Sequence, residues 1–171
     1  MKRLWFVGLT VLILGTVGIA ADDPSVIHLR ATLLGANEVP PVSSTATAEF
    51  EATISDGNFS FSLTFEGLAA NAAASHIHFG QTHVNGGVTV FLCGGGSQPA
   101  CPAATSGTIQ GTITPANVVG PAAQGIAAGE LNKAVQAILQ GEGYVNIHNA
   151  SFPAGEIRGQ VRVPGAENDK R

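Results

Sequence analysis

A chain of 171 residues with 12% charged side chains and a formal charge of −4 has the size of one domain and lacks the basic patches that nucleic acid or an anionic membrane requires of a partner. Its 22 glycines, together with many Ala, Ser and Thr, favour an extracellular β-protein with close turns over a helical enzyme. Five histidines and two cysteines are the main reactive side chains, so chemistry, if present, has few places to sit.

The N-terminus reads as a secretory signal peptide over residues 1–21. Met1-Lys2-Arg3 is a short positive segment, Leu4 to Gly18 is apolar and uncharged, and small residues follow at Gly18, Ala20 and Ala21. The run is too short and wrongly flanked to anchor in a bilayer, and no second apolar run is long enough to span one. The expected exported protein is therefore a single domain over 22–163, with a polar, flexible tail over 164–171. Without Lys2 and Arg3, 6 basic residues remain against 12 acidic ones, a charge of −6.

From residue 26 onward the hydrophobic period is 2 nearly everywhere. Val26–Leu34 reads as a first strand. Thr47–Ile54 and Phe59–Phe65 alternate apolar and polar residues around Asp56-Gly57, the dipeptide that most strongly marks a tight hairpin. Ala73–Phe79, Gly87–Leu92, Gly107–Ile113, Gly143–His148 and Gly155–Val163 bring the count to about eight strands. One segment has helical period instead: Gly129–Gly141 places Leu131, Ala134, Val135, Ile138 and Leu139 on one face, with Gly141 as C-cap. The pattern predicts an all-β protein, a two-sheet antiparallel Greek-key β-sandwich with one short crossover helix.

Cys93 and Cys101 flank a Gly-rich excursion and, in an oxidising compartment, are expected to pair as a disulfide. A thiolate metal site is the competing reading, weakened by the absence of CxxC spacing. The bridge is expected to stiffen a strand edge, with any metal affinity nearly unchanged by its loss.

The histidines carry the sharpest signal. In Ser75-His76-Ile77-His78-Phe79 the two rings lie on the same face of a strand, and His148 closes another strand-like run. Three neutral imidazoles suit copper or zinc, and a reactive site would keep one coordination position open. The plainer alternative is that these are polar residues on a solvated face, or are satisfied by core hydrogen bonds. Asn146 shares a face with His148 and is a candidate to orient a ring; Glu156 could supply a supporting carboxylate. Arg158 either neutralises an anion near the histidines or pairs with Glu156 or another carboxylate. His28 and His83 are poorer ligand candidates, one in the opening strand and one in a loop. No catalytic residue is assigned. There is no GxSxG elbow, Gly94-Gly95-Gly96 lacks the context of a phosphate loop, and paired cysteines leave no nucleophile.

Several phrases taken together resemble one family: Gly35-Ala36-Asn37-Glu38-Val39-Pro40-Pro41, Ser75–Gly80, Gly86–Cys93, Gly143–His148 and Gly155–Gln160. The chain resembles the CHRD domain, the module repeated in the vertebrate extracellular protein chordin and found singly in exported bacterial proteins, over about Val26–Val163. The resemblance implies a β-sandwich without a settled biochemical function. A fainter likeness runs to the copper–zinc superoxide dismutase sandwich, in which an HxH strand pair and a distant strand histidine bind copper and an Arg lies over the metal. His76, His78, His148 and Arg158 follow that order, but only His83 remains as a fourth ligand, so a two-metal site is not expected.

The expectation is thus an exported, non-enzymatic periplasmic or extracellular module that binds an extracellular protein or surface component and holds one Cu or Zn ion through three histidines. The alternative is a mononuclear copper oxidoreductase of superoxide-dismutase-like type, or a copper chaperone. Neither nucleic acid nor membrane insertion is expected.

Overall fold

The computed structural model describes residues 25–165. The expected signal peptide, and the expected tail beyond residue 165, lie outside the described residues. Eight strands form: β1 (Ile27–Leu34), β2 (Thr47–Ser55), β3 (Asn58–Glu66), β4 (Ala72–Phe79), β5 (Gly87–Cys93), β6 (Gly107–Ile113), β7 (Gly143–Asn149) and β8 (Ile157–Gln160). The helix, α1 (Leu131–Leu139), lies between β6 and β7 in the chain.

Alternation explains the strands. On β3, Phe59, Phe61, Leu63 and Phe65 are buried while Ser60 and Thr64 face solvent, so one pleated face supplies four core side chains. The β2–β3 hairpin closes at Ser55–Asn58 with Asp56 at φ 50° and Gly57 at φ 77°. Two consecutive left-handed residues make the turn whose twist matches that of the strands it joins. In α1, Ala134, Ala137 and Ile138 are buried, and the helix packs on β7 and β4. Gly141, at φ 79°, follows the helix end as the expected cap. Cys93 and Cys101 are joined as a disulfide with Cα atoms 4.9 Å apart.

The strands pair in the order β5-β4-β7-β8-β1-β2-β3-β6, every neighbour antiparallel. The hydrogen bonding therefore describes one continuous sheet where the sequence pattern led us to expect two. Two four-stranded halves are visible, β5-β4-β7-β8 and β1-β2-β3-β6, but they are stitched at a narrow seam. Leu34 pairs with Arg158 there, and an isolated bridge joins Arg30 to Arg162. At the other side β5 approaches β6, and Val90 bridges to Val118 just beyond β6, so the sheet curls almost into a barrel. Alternation reports which residues face the core; it says nothing of which strands are neighbours.

The interior holds Leu29 and Leu33 of β1, Phe50 of β2, Phe59, Phe61, Leu63 and Phe65 of β3, Ile77 of β4, Val145 and Ile147 of β7 and Ile157 of β8. Stripping a fully buried ring such as Phe50 costs about 3–5 kcal/mol in typical cores. This packing makes the half β5-β4-β7-β8 a rigid base, and the histidines stand on its other face.

Candidate metal centre

Ile77, Val145, Ile147 and Ile157 point into the core, so their chain neighbours must point away from it. Cross-strand pairing then lines those neighbours up in rows. One row runs Phe91, His76, Asn146, Arg158 across β5, β4, β7 and β8. The next runs Val88, His78, Tyr144, Gln160 over the same strands. His148 lies opposite Ala74, diagonal to His76. The β4–β5 register shifts on either side of the pair His76–Ile77, a local irregularity of the kind that re-aims side chains near sites.

Three ring nitrogens converge. One nitrogen from each of His76, His78 and His148 lies within 4.8 Å of the others, and His76 Nδ1 is 3.1 Å from His148 Nε2. Three nitrogens held about 2.0–2.1 Å from one tetrahedral ion would be about 3.3 Å apart, so only small ring adjustments separate this cluster from a chelate. Two of the rings are aimed by backbone carbonyls. His78 Nδ1 is 3.0 Å from Gly86 O, and His148 Nδ1 is 3.1 Å from Pro153 O. With those Nδ1–H groups donating, both Nε2 lone pairs face the cluster. His78 Nε2 is buried with no hydrogen-bond partner among the described residues. His148 Nε2 faces His76 Nδ1 and, at 2.9 Å, Asn146 Oδ1. Such a cluster of ring nitrogens has the donor chemistry of a transition-metal site.

The electrostatics agree. Burial, reinforced by the other two imidazoles, pushes His76 down to about 3. Burial likewise lowers His78 to about 4 against the opposing Gly86 hydrogen bond, and burial lowers His148. All three rings are neutral at neutral pH, the state a metal needs.

A buried polar layer surrounds them. Tyr144 stacks on His78 with centroids 4.7 Å apart and planes 5° from parallel, while the Arg158 guanidinium sits 3.4 Å from the Tyr144 ring centroid. Arg158 is 2% exposed and donates through Nη2 to Gln81 O (3.1 Å) and Val84 O (2.9 Å), and through Nη1 to Asn85 Oδ1 (3.3 Å). Its donors hold the 80–86 loop, and it has no hydrogen bond or ion pair with Glu156 among the described residues. The carboxylate near it is Glu38, at the end of a short 3-10 turn after β1. Glu38 is 6% exposed, its Oε1 has no hydrogen-bond partner among the described residues, and burial raises its pKa to about 7 against the pull of Arg158 and Asn146. Gly155, at φ 125°, closes the space beside it; a Cβ there would overlap Glu38 Oε1.

Asn146 lies beside His148, its Oδ1 2.9 Å from Nε2. Glu156 does not touch a ring. It accepts from Ser44 Oγ at 2.6 Å, from Ala69 N at 3.1 Å and from Asn149 Nδ2. Asn149 Oδ1 in turn accepts from Ser151 N and Phe152 N at 3.0 Å, so Glu156 braces the loop that presents Pro153 O to His148. His28 on β1 and His83, in the 80–86 loop at φ 62°, are both exposed and stand outside the cluster. Sequence reasoning passed over Glu38, Tyr144 and Phe91. Glu38 had a signal, the lone acidic residue of Gly35–Pro41; the other two look like ordinary strand aromatics.

A nearly closed antiparallel sheet that carries three neutral imidazoles beneath its connecting loops defines a β-module with a candidate site for one transition-metal ion. The sequence profile of the CHRD domain matches residues 29–161, and the chain belongs to that family. No curated protein matches the chain significantly, and no solved structure does. Among the described residues no helix is long and apolar enough to cross a membrane.

Proposed function

We propose that this CHRD protein is an exported periplasmic or extracellular binding module that holds one copper or zinc ion through His76 Nδ1, His78 Nε2 and His148 Nε2. The convergence of three neutral ring nitrogens within 4.8 Å carries this reading. Imidazole nitrogen without thiolate or carboxylate suits Cu and Zn better than Ca, Mg or Mn. The family match and the disulfide support the exported setting, since such bridges persist in oxidising compartments. The partner is an extracellular protein or surface component, met through the loops around the site rather than through nucleic acid or membrane.

One observation favours the second reading, a mononuclear copper oxidoreductase or copper chaperone. Among the described residues the cluster offers three ligands, which leaves a coordination position for an exchangeable group.

Metal analysis of tag-free protein recovered from periplasm or medium tests the first reading. One ion per chain, lost on His76→Ala, supports it; protein that takes up neither Cu(II) nor Zn(II) at micromolar levels overturns it. Superoxide turnover by the copper-loaded protein, abolished by His76→Ala, would move the assignment to the second.

A further inference from the structure

The three histidines are held by different devices. His78 and His148 are each aimed by a backbone carbonyl, Gly86 O and Pro153 O. The His76 ring has neither; among the described residues its one hydrogen-bond partner is His148. What fixes it is packing. Phe91, its direct cross-strand partner on β5, meets it edge to face, with centroids 4.4 Å apart and planes at 85°.

Phe91 is itself clamped. The backbone of Gly95 and Gly96 presses on its ring, so closely that a Cβ at either position would overlap it; at Gly96 the nearest ring carbon would be 2.6 Å away. That glycine backbone belongs to the loop closed by Cys93–Cys101. Gly94 N donates to Pro99 O (2.8 Å), and Gln98 N donates to Gly95 O (2.9 Å). Asn117 Nδ2 donates to Gly96 O (3.0 Å), and Gln98 Nε2 donates to Thr112 O (3.2 Å). Three successive glycines have more conformational freedom to lose than any other tripeptide, and each of these hydrogen bonds is individually weak once exchange with water is counted. The covalent bridge is the strongest of the restraints on the loop.

We propose that Phe91 is the positioning residue for His76, and that the Cys93–Cys101 bridge sets the metal affinity of the site by holding the Gly95–Gly96 backbone against the Phe91 ring. This rests on the three-histidine reading and revises the expectation that affinity is indifferent to the bridge. The cysteines stand outside the three-histidine cluster, so the ligand set alone does not reveal the connection. Exposure to a dithiol, which is oxidised to its own disulfide as Cys93 and Cys101 take up two electrons and two protons, would then weaken metal retention.

The test measures Cu(II) affinity by chelator competition, with the Cu(II) EPR spectrum as second readout. The proteins are wild type, Phe91→Ala, Phe91→Tyr, Cys93→Ser/Cys101→Ser and a control in the core on β2, Phe50→Leu. Loss of about 10–100-fold in affinity is expected for Phe91→Ala and for the double serine variant, with a changed copper hyperfine pattern, as for other partners that orient a ligand. Phe91→Tyr keeps the ring and should rescue both readouts. Phe50→Leu loses stability but should keep wild-type affinity and spectrum, which separates positioning from general destabilisation. If Phe91→Ala does not fold, the double serine variant decides. Wild-type affinity and spectrum in that variant overturn this inference alone, as does an unchanged His76–Phe91 NOE in its apoprotein. Wild-type protein that binds no Cu(II) overturns both this inference and the reading beneath it.

Discussion

His76 Nδ1 and His148 Nε2 lie 3.1 Å apart although 72 residues separate them in the chain. The β4–β7 pairing produces this contact: it sets His76 opposite Asn146 and His148 opposite Ala74, so the two rings meet on the diagonal. Diagonal cross-strand neighbours are within reach of long and aromatic side chains, and the curled sheet brings them closer. The contact follows from strand register, and register is a property of the whole sheet.

The cluster therefore predicts a sharp division among the five histidines. Replacing His76, His78 or His148 with Ala should weaken Cu(II) or Zn(II) binding by at least about 100-fold, more than the loss of an outer partner costs. His28→Ala and His83→Ala, both outside the cluster, should stay within about twofold of wild type. Isothermal titration across the five variants checks this, and equal losses at His83 and His76 would refute the assignment.

Acid should destabilise the apoprotein well above the range of its carboxylates. His76 and His78 stay neutral in the fold down to about 3 and about 4, while in the unfolded chain they take protons near 6.5. The unfolded state thus binds more protons between those limits. The stabilisation is full above pH 6.5 and is lost as pH falls toward 4 and then 3. The unfolding free energy of metal-free protein, from urea titrations, should fall by about 1–3 kcal/mol per pH unit below pH 6, and a flat profile to pH 4 would contradict the burial of these rings.

Glu38 carries the opposite sign. Its folded pKa is raised from 4.5 to about 7, so the folded state holds the proton more tightly and stability declines as pH rises through that interval. Glu38→Gln should raise apoprotein stability by about 1–3 kcal/mol at pH 8 and by almost nothing at pH 5. Denaturant titrations at the two pH values give the comparison directly.

Arg158→Lys should behave as a severe change. Lysine offers a point charge where the guanidinium serves Gln81 O, Val84 O and Asn85 Oδ1 and lies flat on Tyr144. Losing the guanidinium's charge-assisted hydrogen bonds to the 80–86 loop should cost about 1–3 kcal/mol. Since that loop supplies Gly86 O to His78, faster hydrogen exchange at its amides should accompany the loss.

Removing the disulfide has a separate stability cost. The two cysteines are 8 residues apart, and a loop of that size should contribute about 2–3 kcal/mol, measured as the drop in unfolding free energy of the double serine variant. Unchanged stability would mean that the loop is held by its hydrogen bonds alone.

Much of this architecture is legible in the chain itself. Alternation from Phe59 to Phe65 can only be a half-buried strand, and Asp56-Gly57 adopts the left-handed pair that its chemistry permits. The His76–His78 spacing forces both rings to one face, whatever the fold around them. These are local consequences of backbone period and turn sterics, so one sequence suffices to read them.

The rest is decided by which strands become neighbours. The seam at Leu34–Arg158 turned two expected sheets into one, and the β4–β7 register brought His148 to the pair. Glu156, adjacent in sequence to Ile157 and close to Arg158, faces Ser44, Ala69 and Asn149 instead of the rings, whereas Glu38 arrives from a loop more than a hundred residues upstream of Arg158. The carbonyls of Gly86 and Pro153, which aim two of the rings, carry no residue-type signal. The Phe91 contact with His76 comes from the β4–β5 register, which no single strand announces. A side-chain period determines the face on which a residue stands; only the closing of the sheet, driven by burial of the core behind that face, determines what stands beside it.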